Sequence, residues 1–140
     1  MDPLILNEKI ESLRRCIGRI EDRRAQSSEQ LRNDPDRQDI VSLNLTRAIQ
    51  LCVDMAAHAL ADTAQPAPQT MAEAFDLLAA EGMLPTDLAG RMRSAVGFRN
   101  VAVHSYQAID WDIVHHITHE GLEDFRRFAS HMATIIGPAT

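Results

Sequence analysis

Apolar residues recur along this chain at spacings of three and four, and no segment alternates with period two for long enough to make a strand. Ile10, Leu13, Ile17 and Ile20 set one face of a first helix over residues 4–26. A polar stretch over residues 27–39 follows, with Pro35 where the first turn of a new helix accepts it. Val41, Leu45, Ala48, Cys52, Met55 and Ala59 form the second stripe, and residues 64–69, AQPAPQ, read as a loop. Thr70 and Glu73 have capping-box spacing, which opens a short helix through about residue 80, and Gly82 suits its C-terminal stop. Pro85 opens a fourth helix. Asp110 is a good N-cap for the last one, whose stripe runs through Val114, Ile117, Gly121, Phe125, Phe128, Met132 and Ile135 to a stop at Gly137 and Pro138. The predicted fold is all-α, an antiparallel bundle of about five helices forming one domain over residues 1–140.

Composition narrows the class. An apolar fraction of 45% with 24% charged residues is that of a soluble globular protein. Asp2, Glu8 and Glu11 interrupt the N-terminal segment, so it does not read as a signal peptide, and no run of about 18 apolar residues predicts a membrane span. Cys16 and Cys52 both fall inside helical patterns and read as reduced packing residues. A cytoplasmic chain with no membrane partner is expected.

Charge sets a limit on any polyanion partner. The net charge of -6 argues against a general nucleic-acid coat, whose affinity comes from many cationic contacts. Eight of the fourteen cations lie between Lys9 and Arg37, interleaved with acids, and read as a solvated, salt-bridged face. Arg91, Arg93 and Arg99 differ, because no acidic residue follows Asp87 until Asp110. The local field there is expected to be positive, and any RNA contact to be confined to it.

Those arginines sit beside the most chemically suggestive stretch, residues 97–106, GFRNVAVHSY. On a helix advancing about 100° per residue, Leu88, Met92, Ala95, Val96 and Val103 share one side, with Arg99 in their midst. A charge on a packing face is costly unless something pairs with it, and Asp54 is one candidate partner. Arg93, Gly97, Asn100 and His104 form the neighbouring strip. Tyr106 would point away from His104 if the helix continued, so a break after His104 is expected, with the phenol folded back and its hydroxyl exposed. A guanidinium holds phosphate in a planar fork, and an imidazole moves protons near neutral pH. Together they suggest work on a phosphodiester: His104 as acid–base group, Arg99 stabilising phosphorane charge, Asn100 orienting phosphate or imidazole. One histidine cannot easily make both proton transfers, which points to a second copy of the motif across a dimer axis.

These residues also carry a resemblance. Residues 47–54 (RAIQLCVD), 75–82 (FDLLAAEG), 97–106 and 109–114 (IDWDIV) resemble the HepT-like branch of the HEPN superfamily, over residues 4–136. The pattern Arg-x4-His-x-Tyr, with Asn after Arg, is its specific part. The resemblance implies an all-helical, dimeric, metal-independent endoribonuclease toxin whose substrate is RNA. It further implies an MntA-like nucleotidyltransferase antitoxin that silences the toxin by transferring AMP from ATP to the motif tyrosine. Carried over by position, the catalytic residues are Arg99, Asn100 and His104, and the AMP acceptor is Tyr106. Arg93 and Asp54 are candidate supporting residues.

Other chemistries have less behind them. His115 and His119 stand one turn apart, a chelating spacing, but no third ligand is clearly placed. With no Gly-rich phosphate loop or nucleophile elbow either, no metal and no cofactor is expected. A non-catalytic helical partner or nucleotide-binding module of a nucleotidyltransferase, keeping the fold and the tyrosine, stands as the alternative.

Overall fold

The computed structural model describes residues 2–136. The expected stop at Gly137 and Pro138 lies outside them. Among the described residues the structure is helical without strands: α1 (Pro3–Arg23), α2 (Ser28–Arg32), α3 (Pro35–Leu60), α4 (Met71–Ala80), α5 (Thr86–His104), α6 (Trp111–His116) and α7 (Leu122–Ile136). A 3-10 turn (Tyr106–Ala108) separates α5 from α6, and a π-helical turn (Ile117–Gly121) joins α6 to α7.

Local chemistry fixes most of these ends. Asp2, Ser27, Asp34, Thr70 and Asp110 each accept a backbone N–H in the first turn of the helix that follows. The Arg37 N–H bonded to Asp34 is the main reason that its carboxyl is held below the usual range. Gly82 adopts φ 73° after α4, a left-handed conformation that glycine takes without strain.

Neighbouring rods run antiparallel. Arg37 donates to the carbonyls of Arg23 and Arg24, while Lys9 meets Asp54 at 3.7 Å, so α1 and α3 pack head to tail. Asp87 with Arg127 and Arg91 with Asp124 set the same relation between α5 and α7. Between the rods, every residue named in the first two predicted stripes is buried. Phe75 of α4 meets Phe128 of α7 edge to face, with ring centroids 5.6 Å apart, at the centre of the core. The length and apolarity of α3 would let it cross a membrane, but 56% of its most apolar window is buried against the other helices.

Two features depart from the predicted elements. The polar stretch before Pro35 contains α2, which a single buried side chain, Leu31, pins to the core. One apolar residue creates no periodicity. The last helix is not continuous either. Arg24 draws off the carbonyl of Thr118 at 3.0 Å, and the His119 Nε2–H donates to the Ala25 carbonyl at 2.7 Å, so the α1–α2 connection grips the π-helical turn. Gly121 closes that turn, where a Cβ would lie 3.3 Å from Ile117 Cγ2.

A candidate active site at the end of α5

Helix α5 starts inside the core and finishes outside it. Leu88, Ala89, Met92 and Val96 are buried. Beyond them Phe98, Arg99 and Ala102 are half-buried, and Val101 and Val103 are exposed. Val103 thus departs from the predicted packing side: it is 49% exposed, because the helix has left the bundle by that point.

Arg99 occupies this emerging turn. Its Nε is buried without a hydrogen-bond partner among the described residues, and its Nη1 donates to Asn100 Oδ1 at 3.3 Å. No carboxylate among the described residues pairs with it. Asp54, one candidate partner, instead takes Lys9 at 3.7 Å and Gln50 at 2.9 Å. The other two arginines of α5 are neutralised across helices, Arg91 by Asp124 at 3.1 Å and Arg93 by Asp76 at 3.1 Å. The positive patch read from the sequence therefore contracts to Arg99. Arg93 and Asp54 hold neighbouring helices together. His104 ends α5, exposed, and no hydrogen bond joins its imidazole to Arg99 or Asn100.

The expected break after His104 is present. Ser105 leaves helical geometry, its N–H still bonded to the Val101 carbonyl at 2.8 Å, and the chain turns through Tyr106–Ala108. Buried Ile109 and the Asp110 cap of α6 anchor the far side. The Tyr106 ring packs edge-on against Trp111, centroids 5.9 Å apart. Its hydroxyl is not free, as the sequence suggested, but donates to Asp39 Oδ1 at 2.6 Å and faces Ser42 Oγ at 3.5 Å. Burial first, and the Asp39 hydrogen bond second, raise the phenol above its ordinary pKa. Asp39 and Ser42 were not singled out from the sequence. They lie 67 and 64 residues upstream, and no local pattern connects them to the motif.

Beside the site, a cleft of about 760 Å³ runs between α5 and the α6–α7 arm, lined by Gly97, Phe98, Val101, Ile113, Ile117 and Phe125 among others. Exposed Val101 and Ile113 stand on its two walls. The histidine cluster lies elsewhere on the arm. The His115 and His119 rings are 4.4 Å apart, and burial followed by the neighbouring His119 lowers the pKa of His115. With His119 tied to Ala25, no group of three metal-ligating side chains converges among the described residues.

Comparison with known proteins gives this geometry a family. A family model described as ribonuclease HepT-like matches residues 13–132. The mRNA nuclease HepT of Shewanella oneidensis is 38% identical over 128 residues, 91% of this chain and 95% of that protein. Among solved structures, the tri-AMPylated HEPN toxin of the same organism, in complex with its MNT antitoxin, superposes with a TM-score of 0.88 at 35% identity, covering 96% of this chain and 99% of that one. A toxin–antitoxin complex with AMP-PNP gives 0.86 at 35% identity, covering 94% and 99%. The cytosolic protein YutE of Bacillus subtilis shares the fold alone, with a TM-score of 0.83 at 10% identity over 99% of this chain and 96% of that one. The chain belongs to the HepT-like ribonuclease family.

Proposed function

We propose that this chain is a metal-independent endoribonuclease toxin that cuts RNA with Arg99, Asn100 and His104. An MntA-like nucleotidyltransferase antitoxin silences it by AMP transfer to Tyr106. The observation that carries the reading is the state of Arg99: a half-buried guanidinium, free of any carboxylate among the described residues, five residues before an exposed imidazole on the same helix. A cation left unpaired in that setting is poised for an anionic ligand.

In the proposed reaction the ribose 2′-oxygen attacks the adjacent phosphorus and loses its proton to a base. The 5′-oxygen of the next nucleotide leaves and takes up a proton. The products are a 2′,3′-cyclic phosphate and a free 5′-hydroxyl. Arg99 stabilises the charge gathering on the phosphorane oxygens. Asn100 holds the guanidinium and offers its amide N–H groups to the phosphate. His104, exposed at the helix end, serves one proton transfer, and the His104 of a second copy serves the other. That requirement, with exposed Val101 and Ile113 on the cleft and exposed Val103 on the same helix end, supports a homodimer joined through α5 and α6. One domain over residues 1–140, working in the cytoplasm, completes the reading.

Tyr106 is the proposed control point because it is the first side chain past the end of α5 that reaches back onto α3. An adenylyl group there adds a bulky anion that competes with RNA for Arg99. Similarity to a tri-AMPylated toxin supports the same acceptor chemistry here. The test is incubation of the purified chain with single-stranded RNA in excess chelator. Fragments ending in a cyclic phosphate are expected from the wild type and not from Arg99→Ala or His104→Ala. Cleavage that vanishes in chelator and returns with a divalent metal would defeat the metal-independent reading.

A further inference from the structure

Tyr106 is the only tyrosine of the chain, and its hydroxyl rests on the carboxylate of Asp39 in the second turn of α3. The 2.6 Å contact is the ordinary length for a hydroxyl donating to a charged carboxylate. Two other acids flanking this contact in the chain are paired with cations, Asp34 with Arg37 and Asp112 with Arg32. No cation among the described residues pairs with Asp39, so its oxygens keep their capacity to accept a proton. Ser42, one helical turn on and buried, faces the same phenolic oxygen from the α3 side.

A hydroxyl that attacks phosphorus must shed its proton as the new bond forms. A phenol is protonated at neutral pH, and burial and the adjacent carboxylate push this one further from ionisation, so a ready-made phenolate is not available. The proton needs a destination within hydrogen-bond reach. We propose that Asp39 is the proton acceptor when Tyr106 receives an adenylyl group.

This rests on the reading of Tyr106 given above. In the step, a lone pair of the phenolic oxygen attacks the α-phosphorus of a nucleoside triphosphate and forms the O–P bond. The bond from that phosphorus to the oxygen bridging to the β-phosphate breaks, and pyrophosphate leaves with the electron pair. The phenol proton passes to Asp39 Oδ1 and from there to water. The Ser42 hydroxyl, 3.3 Å from the Asp39 carbonyl and 3.5 Å from the phenolic oxygen, flanks the reacting atom. Esterification uses that oxygen up, so any further adenylyl group attaches elsewhere and Asp39 acts on the first addition alone.

The experiment follows intact mass against time, with the purified chain, its cognate nucleotidyltransferase, ATP and magnesium. Asp39→Asn keeps an oxygen acceptor of the same shape and loses the base, whereas Asp39→Glu keeps a carboxylate. The first addition to Asp39→Asn should slow on the order of a hundredfold. The fall should lie in kcat, with KM for the toxin unchanged, and with later additions at their ordinary pace. Asp39→Glu should recover a large part of the loss. Equal slowing in both variants, or a fall confined to KM, would mean that Asp39 only places the hydroxyl, and an unchanged rate in Asp39→Asn removes it from the step; each overturns the inference. If the wild type itself takes no AMP from an active partner, or takes it on another residue, the Tyr106 reading fails first and the inference falls with it. Should Asp39→Asn fail to fold, Asp39→Ser takes its place and is judged by the same outcomes.

Discussion

Replacing Arg99 by methionine should stabilise this protein while abolishing its activity. The Arg99 Nε is buried with no partner among the described residues, a condition that costs about 1–3 kcal/mol for a polar group. The residue is only half-buried, and its Nη1 has Asn100 at 3.3 Å, so the lower end applies, about 1 kcal/mol. Methionine keeps an unbranched stem of similar reach against the side of α5 and carries no donor to strand. For a chain of this length, about 1 kcal/mol corresponds to a rise of roughly 3 °C in Tm. Cleavage should fall by two orders of magnitude or more, since the only unpaired guanidinium of α5 is gone. Thermal unfolding by circular dichroism, beside cleavage of a short labelled RNA in chelator, measures both. A variant that loses more than about 1 kcal/mol of stability would show that Arg99 is a structural residue. One that is more stable and still cleaves would remove it from the chemistry.

Three further outcomes follow from the same contacts. His104→Ala, at an exposed side chain with no hydrogen bond among the described residues, should leave stability within about 0.5 kcal/mol and cut the cleavage rate at least a hundredfold; melting and rate assays together check it. Tyr106→Phe should keep nuclease activity, take no adenylyl group by intact mass, and lose about 1 kcal/mol as its bond to Asp39 disappears. Because the fold raises the phenol's pKa, this contribution is complete below the ordinary phenol range and is lost as pH rises through the folded value. The stability gap between Tyr106→Phe and wild type should therefore narrow in strong alkali. Phe128→Ala, which empties a fully buried site against Phe75, should cost about 3–5 kcal/mol by urea denaturation, and a loss under 1 kcal/mol would contradict the packing described.

The long rods were legible because each buries a regular stripe, and a stripe is a property of sequence spacing alone. Ile10, Leu13, Ile17 and Ile20 announce α1 to any reader who counts by threes and fours. Helix α2 was not legible, because its whole attachment is Leu31, and neither was the π-helical turn, which depends on Arg24 reaching Thr118 from 94 residues away. The motif itself was visible for the same reason as the rods: Arg99, Asn100, His104 and Tyr106 lie within eight residues, and the turn that redirects Tyr106 is encoded beside it by Asp110.

What the motif's surroundings would be was the harder question, and charge shows why. Along the sequence Arg91, Arg93 and Arg99 look alike, three cations in a stretch without acids. In the fold, Asp124 and Asp76 arrive from other helices and neutralise the first two. An electrostatic field is a sum over space, and the nearest charge in space is often far away in the chain. The same folding that removes Arg91 and Arg93 from the count is what makes Arg99 distinctive, since a cation stands out by the partners it lacks. Asp39 is the mirror case: an unremarkable acid at the end of a polar stretch becomes the chain's contact with its only tyrosine hydroxyl once α3 packs beside the end of α5. Local pattern therefore identifies the groups proposed for chemistry here, while tertiary packing decides which of them are left without partners.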